Sequence, residues 1–190
     1  DSVDYMIDVH FYQAERQSMT LTFEEPRHHD ALLAAARLPG VTAAEPYRAV
    51  AAKLHHGPRE KQVAITGLSP NPQIARVLNT DNVPVDVPPE GILLSAYLAK
   101  LLDAKEGDVI TAEVMEGKRP VVDVPVARIV ESYIGLGSYM NISALNRLMQ
   151  EGRAISGVYL TNDTGVQPAL YAEVKNTPAI AGVTLQRKAV

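Results

Sequence analysis

The stretch Gly91-Ile-Leu-Leu-Ser-Ala-Tyr-Leu-Ala-Lys-Leu-Leu-Asp-Ala-Lys-Glu-Gly-Asp-Val-Ile110 carries the start signal of a helix and the opening of a strand. Ser95 can accept a hydrogen bond from the free amides of a first helical turn, which marks it as an N-cap. Leu94, Leu98, Leu101 and Leu102 recur at i, i+4, i+7 and i+8, the spacing that lines one helical face. Gly107-Asp108 opens a strand over Val109–Val114, Glu116-Gly117-Lys118 turns the chain back, and Val121–Val130 alternates as the next strand. Pro125 has no N–H to give a ladder, so it marks an edge strand or a bulge.

On the N-terminal side, Pro70 to Ile92 is rich in proline and reads as a connection with one short helix around Gln73–Leu78. Before it, Met19 to Glu24 alternates at period two as a strand. Glu25-Pro26 is expected to introduce a helix to about Leu38, with Leu32, Ala35, Ala36 and Leu38 as its apolar stripe and Pro39-Gly40 as its stop. Tyr47–Leu54 and Lys61–Leu68 read as strands around a turn at His55-His56-Gly57-Pro58. On the C-terminal side, a loose glycine-rich Ser132–Tyr139 leads to a helix capped by Asn141 or Ser143, bearing Ile142, Leu145, Leu148 and Met149 and ended by Gly152. Val158–Thr161 is a strand. Asp163-Thr164 is expected to cap a helix with Pro168 in its first turn and Val166, Leu170 and Val174 on one face. Asn176-Thr177-Pro178 ends it, and Val183–Gln186 is the last strand. The two ends echo each other: strand, helix, then Leu38-Pro-Gly-Val-Thr42 and a strand, against strand, helix, then Ile180-Ala-Gly-Val-Thr184 and a strand. Two split β-α-β halves of this kind pack in one sheet with helices on one face, leaving about Pro70 to Gly137 as an inserted, mostly β lobe.

Composition narrows the function. The chain has 190 residues, a formal charge of −4 and no cysteine. A pI near 5.7 argues against nucleic-acid binding, which needs clustered positive charge. Without cysteine there is no disulfide scaffold, thiol nucleophile or cysteine zinc site. No apolar run reaches the roughly 18–20 residues that span a bilayer. Asp1 stands where an initiator Met would, and no signal peptide follows, so the chain is expected to be a piece of a longer protein.

Chemistry-bearing motifs are sparse. Gly135-Leu-Gly137-Ser lacks the third glycine and the Lys-Ser/Thr pair of a phosphate loop. Of the five histidines His10, His28, His29, His55 and His56, the four in the adjacent pairs read as solvated; adjacent histidines point apart on helix or strand and do not chelate as an i, i+4 pair does, although His55-His56 is a candidate for a chance transition-metal site. No Gly-x-Ser-x-Gly elbow is present, and Glu24-Glu25 need not share a cleft. Asn162-Asp-Thr-Gly165 lacks the alternating ligands of a calcium loop and reads as a helix cap. No catalytic, cofactor-binding or metal-ligating residue is assigned, no cofactor is expected, and partner-binding residues remain unassigned.

Several blocks taken together resemble one family. Leu38-Pro-Gly-Val-Thr-Ala-Ala-Glu-Pro46, the hairpin ending Val63-Ala-Ile-Thr-Gly-Leu-Ser-Pro70, the quoted Gly91–Ile110 and the strand Val124–Val130 are similar, in order and spacing, to the periplasmic core domain of FtsX/MacB-type ABC-transporter permeases. Asn79–Pro89 and Ser132–Tyr139 have no counterpart in that pattern. The resemblance implies an α+β, two-lobed fold: a Porter-like lobe, 18–69 plus 138–190, made from both chain ends, and an inserted Sabre-like β-rich lobe, 70–137. Residues 1–17 would follow a membrane helix. It further implies a non-catalytic domain, periplasmic or extracytoplasmic, of a permease in the bacterial inner membrane. Its partners would be an ABC ATPase subunit or domain reached through the membrane part, a second permease copy or homologue, and a periplasmic adaptor or substrate protein; no nucleic acid is implied. Such a domain couples ATP-driven membrane motions to a periplasmic partner. Two other readings stand beside it: a module that binds a ligand or peptide in a cleft between its lobes, and a hydrolase using the scattered His, Asp and Ser. The first sits poorly with 5% aromatics and no tryptophan.

Overall fold

A computed structural model describes residues 11–12, 16–132, 135–163, 167–176 and 180–186. Its first elements are β1 (Phe11–Tyr12), β2 (Arg16–His28), α1 (Ala31–Ala36), β3 (Val41–His56) and β4 (Arg59–Leu68). Then come β5 (Val77–Leu78), β6 (Pro84–Val85), β7 (Ile92–Ser95), α2 (Ala96–Leu102), β8 (Val109–Val114) and β9 (Val121–Val130). The chain ends through β10 (Ser138–Asn141), α3 (Ile142–Leu148), β11 (Ala154–Asp163), α4 (Gln167–Lys175) and β12 (Ile180–Gln186). Contacts divide it into two units, 1–47 with 154–190, and 48–153.

The unit made from the chain ends is a sheet ordered β12-β2-β11-β3, with every neighbouring pair antiparallel. With α1 between β2 and β3 and α4 between β11 and β12, this is the β-α-β-β-α-β arrangement that the internal echo predicts. Met19, Leu21, Val158, Leu160, Leu170 and Val174 are buried here. The expected helix from Glu25 is corrected: β2 continues to His28, and α1 is only Ala31–Ala36. Arg27 and His28 still pair with Ile155 and Ala154, and Pro26 falls where the register shifts between Ile155 and Gly157. A proline that looks like the first turn of a helix sits instead in a bulge, where its missing N–H breaks no ladder bond. The expected cap Thr164, Val166 and the stop at Thr177-Pro178 lie outside the described residues; Pro168 does occupy the first turn of α4.

In the 48–153 unit, hydrogen-bonded neighbours run β3-β4-β10-β7-β9-β8, and β8 also pairs with β3, Ala52 opposite Val114 and His55 opposite Thr111. The circuit therefore closes into a six-stranded barrel with no free edge along it. β7 and β10 run antiparallel, so the helices that follow them, α2 and α3, leave the barrel at opposite ends. Leu98, Ala99 and Leu102 of α2 and Ala144 and Leu145 of α3 join one core with Val50, Leu54, Ile65, Ile92, Ile110 and Val126 from the wall. Ser95 caps α2 by accepting from Leu98 N–H, and Asn141 caps α3 by accepting from Ser143 and Ala144 N–H. β8 and β9 match the expected spans. Beside Pro125 the β7–β9 register shifts between Ile92 and Leu93, a bulge within a strand that is paired on both sides.

Three expectations are corrected in this unit. Residues 73–78 form no helix; Val77–Leu78 pairs with Pro84–Val85 as a ribbon whose turn is held by Asn79 Oδ1 accepting from Asp81 and Val83 N–H. The glycine-rich stretch ends in a strand, β10, inserted between β4 and β7. Gln150, with φ 56°, takes the left-handed position after α3, ahead of Gly152. The second part of β3, β4, β10 and α3 all build the barrel, which sets the unit boundaries at 47/48 and 153/154.

Candidate functional site

The histidines are the residues most able to bear chemistry, and the structure parts them. On β3, His55 and His56 alternate in direction, as successive strand residues must. His55 Nε2 lies 2.7 Å from Glu113 on β8 and its Nδ1 3.3 Å from Glu60 on β4. Glu113 is held below the ordinary carboxylate range by the hydrogen bond from His55, with Lys53 adding to the effect. His56 Nδ1 meets the carbonyl of Leu102 at 2.9 Å, where a carbonyl can only accept, and Nε2 stands 3.7 Å from Asp108. His28 contacts Asp30 at the start of α1. His10 lies outside the described residues. Among the described residues no group of three or more His, Asp or Glu is arranged to hold a metal ion. His55 and His56 thus tie the barrel seam and the end of α2 to neighbouring carboxylates and a carbonyl.

The glycine-rich loop is held to the start of α2 through its carbonyls. Gly135 and Gly137 turn their carbonyls to Ser95, accepting from its hydroxyl at 2.7 Å and its N–H at 2.9 Å. Asn162, at the start of the sequence considered for calcium, is wholly buried; its Nδ2 donates to Asp163 O, while Oδ1 has no partner among the described residues. Thr164 and Gly165 lie outside the described residues.

Two features escape sequence reasoning. Arg48 is 2% exposed, an extreme rarity for a charge. Its guanidinium makes a two-pronged pair with Glu151, at 2.8 and 3.3 Å, and approaches Glu116 at 3.9 Å. It joins the barrel wall to the segment after α3 and to the β8–β9 turn. The alternating strand pattern around Arg48 was visible, but its distant carboxylates were not. The second feature is an exposed apolar end of the barrel unit. Leu78 and Val83 on the ribbon, Tyr97 on α2 and Leu136 before β10 all stand exposed. Helical spacing identifies Tyr97 only as an outward residue.

No helix among the described residues is long and apolar enough to cross a membrane. No protein-family model matches the chain, and no curated protein matches it. Solved structures do. The extracellular domain of the noncanonic ABC-type transporter YknZ from Gram-positive bacteria superposes with a TM-score of 0.53 at 10% identity, over 90% of this chain and 98% of that one. The periplasmic region of MacB from Actinobacillus actinomycetemcomitans gives 0.54 at 12% identity, over 92% and 89%. The chain has the mixed α+β, mostly β fold of these extracytoplasmic transporter domains.

Proposed function

We propose that this chain is the non-catalytic extracytoplasmic domain of an ABC-transporter permease of the FtsX/MacB type. The observation that carries the reading is the match of nearly the whole chain, both units included, to transporter domains at such low identity. In this reading the unit built from both chain ends is the Porter-like lobe and the barrel-containing insert is the Sabre-like lobe. Termini that leave from one lobe would continue into membrane helices, with residues 1–17 as the first connection. The domain would transmit displacement driven by ATP hydrolysis on a separate ATPase domain or subunit to a periplasmic partner or substrate, working beside a second permease copy. That role draws on rigidity: a closed barrel filled by two capped helices moves as a body and does not shear strand by strand.

The reading predicts that the gene encoding Asp1–Val190 continues into apolar spans of about 20 residues on both sides, with an ATPase fused or adjacent. A topology experiment checks it directly. The chain has no cysteine, so Val121→Cys in a full-length protein whose other cysteines, outside this chain, are replaced by Ser gives one label site on an exposed strand position. A membrane-impermeant maleimide should label it in cells whose outer barrier is opened but whose inner membrane is intact. Labelling only after the inner membrane is lysed overturns the proposal.

A further inference from the structure

We infer that residues 70–90 form a strap across the outer wall of the barrel, which opens while the barrel stays folded and bares a row of side chains on β7 and β10. The path follows from the strand register. Leu68 lies opposite Asn141 and Leu93 opposite Tyr139, so the chain leaves β4 and re-enters β7 at the rim where α3 begins. Midway along the strap, Thr80 N–H donates to Glu131 O at 3.0 Å. Glu131 follows Val130, whose partner is Ser95, so that bond lies at the opposite rim, where α2 begins. The strap therefore runs from rim to rim and back. The interior is filled by the core that α2 and α3 share with the wall, which leaves the outside as its route.

Burial shows what it covers. Leu93 stands between Ile92 and Leu94, both in the barrel core, so it points outward. It is nevertheless only 1% exposed. Its cross-strand partner Tyr139 shares that outer face, and burial pushes the Tyr139 phenol up. Ile74, Val77, Val85 and Val87 of the strap are buried without belonging to the barrel core. The strap and the outer row supply each other's cover.

Opening on its own follows from how the strap is fastened. Five of its residues are proline and have no N–H to give. Its ladder is two residue pairs, Val77 with Val85 and Leu78 with Pro84. Asn71 and Asn82 hold left-handed φ angles of 52° and 60°, a conformation that costs any residue with a Cβ. Every ordered residue also costs backbone entropy. The barrel strands, by contrast, are paired on both sides around a closed circuit. A segment with so sparse a ladder opens at a free energy below that of global unfolding. Its ends stay put. Leu68 is paired with Asn141, and at Gly91, with φ 80°, an added Cβ would stand 2.8 Å from Pro125 O.

The chain has no cysteine, so one introduced thiol reports on one place. Leu93→Cys puts it under the strap, and Ile92→Cys puts it in the barrel core. Each variant of the 190-residue chain is treated with the thiol reagent DTNB without denaturant, and its urea unfolding is measured alongside. The Ile92→Cys thiol should react at the rate that global unfolding allows. The Leu93→Cys thiol should react at least about tenfold faster than that, yet at least about tenfold slower than in the unfolded chain. Thr80→Pro removes the bond at the far rim and should speed the Leu93→Cys reaction roughly fivefold. Val85→Ala, which weakens an anchor without touching a backbone bond, should speed it about tenfold. Ile110→Val, in the barrel core, should speed Ile92→Cys roughly fivefold and leave Leu93→Cys unchanged. Reaction of both thiols at the global rate overturns the proposal, because the strap then opens only with the barrel. Reaction of Leu93→Cys as in the unfolded chain overturns it too, because nothing then covers the row. So does a Leu93→Cys rate that ignores Val85→Ala or responds to Ile110→Val.

Discussion

Gly157 is fixed by the residue opposite it. It pairs with Tyr47 across β11 and β3, and the Tyr47 hydroxyl hydrogen-bonds Thr22 at 2.8 Å. Burial pushes that phenol up, the Thr22 bond offsetting part of the rise. A Cβ on Gly157 would collide with Leu21 O and stand 2.6 Å from Tyr47 Cε1, so strand or ring must move. Gly157→Ala is expected to cost about 2–4 kcal/mol. Gly57→Ala meets no atom within 4 Å and carries only the strain of φ 57°, about 1 kcal/mol. Equal melting temperatures for the two variants would refute this account. Arg48 makes the second case. Glu151→Ala takes the two-pronged carboxylate from a buried guanidinium that keeps its bond to the Ala49 carbonyl and a carboxylate at 3.9 Å, and since Glu151 is itself 25% exposed the expected loss is moderate, about 2–3 kcal/mol. Adding Arg48→Met removes the stranded charge, and urea unfolding should show the double variant regaining most of that loss. A double variant as unstable as the two single losses combined would argue that packing, not charge, sets the cost.

Elements written in local signals were legible, and those decided by distant pairing were not. Ser95 and the leucine spacing mark α2 within its own few residues, and Val109–Val114 with Val121–Val130 carry their own alternation. Glu25-Pro26 carries an equally local helix signal, yet β11 overrides it by pairing with Arg27 and His28. The β10 strand had no pattern of its own, being held by β4 and β7. Because Ser95 both caps α2 and donates to Gly135 O, Ser95→Ala removes two bonds from one buried hydroxyl. A loss of about 1–2 kcal/mol is expected in denaturant unfolding, with Ser95→Thr retaining most of it; no change would show the helix to be held by its core leucines alone. The seam between β3 and β8 gives an element-scale pH effect. Glu113 has its folded pKa depressed by His55, so its stabilising contribution is complete above the unfolded carboxylate pKa, about 4.3, and is lost as pH falls through the folded value. Glu113→Gln should therefore differ from the parent in urea midpoint near pH 6 and converge on it toward pH 3. A difference that grows on acidification contradicts this sign.

For the whole molecule, the split β-α-β arrangement was readable because the same order of elements occurs at both ends, whereas the division at 47/48 and 153/154 was not. β3 alternates through Tyr47 and Arg48 without interruption, and nothing local records that its partner changes from β11 to β8. The exposed end at Tyr97 was equally hidden, since its apolar members come from sequence-distant segments joined by backbone bonds at Thr80 and Ser95. The division itself makes a strong prediction. The barrel's buried core lies wholly between Val50 and Met149, and its hydrogen-bond circuit closes through β3 and β8. The fragment Arg48–Arg153 should accordingly fold alone, with one cooperative urea transition and slow exchange of the β7–β9 amides. The other unit needs both chain ends, but Tyr47 pairs with Gly157, so a turn of about 4 residues can join Tyr47 to Ala154 and restore β-α-β-β-α-β in one chain. That fusion should also melt cooperatively. If the barrel folds and the fusion does not, the unit built from both chain ends depends on the unbroken run of β3, which a short turn from Tyr47 to Ala154 does not replace.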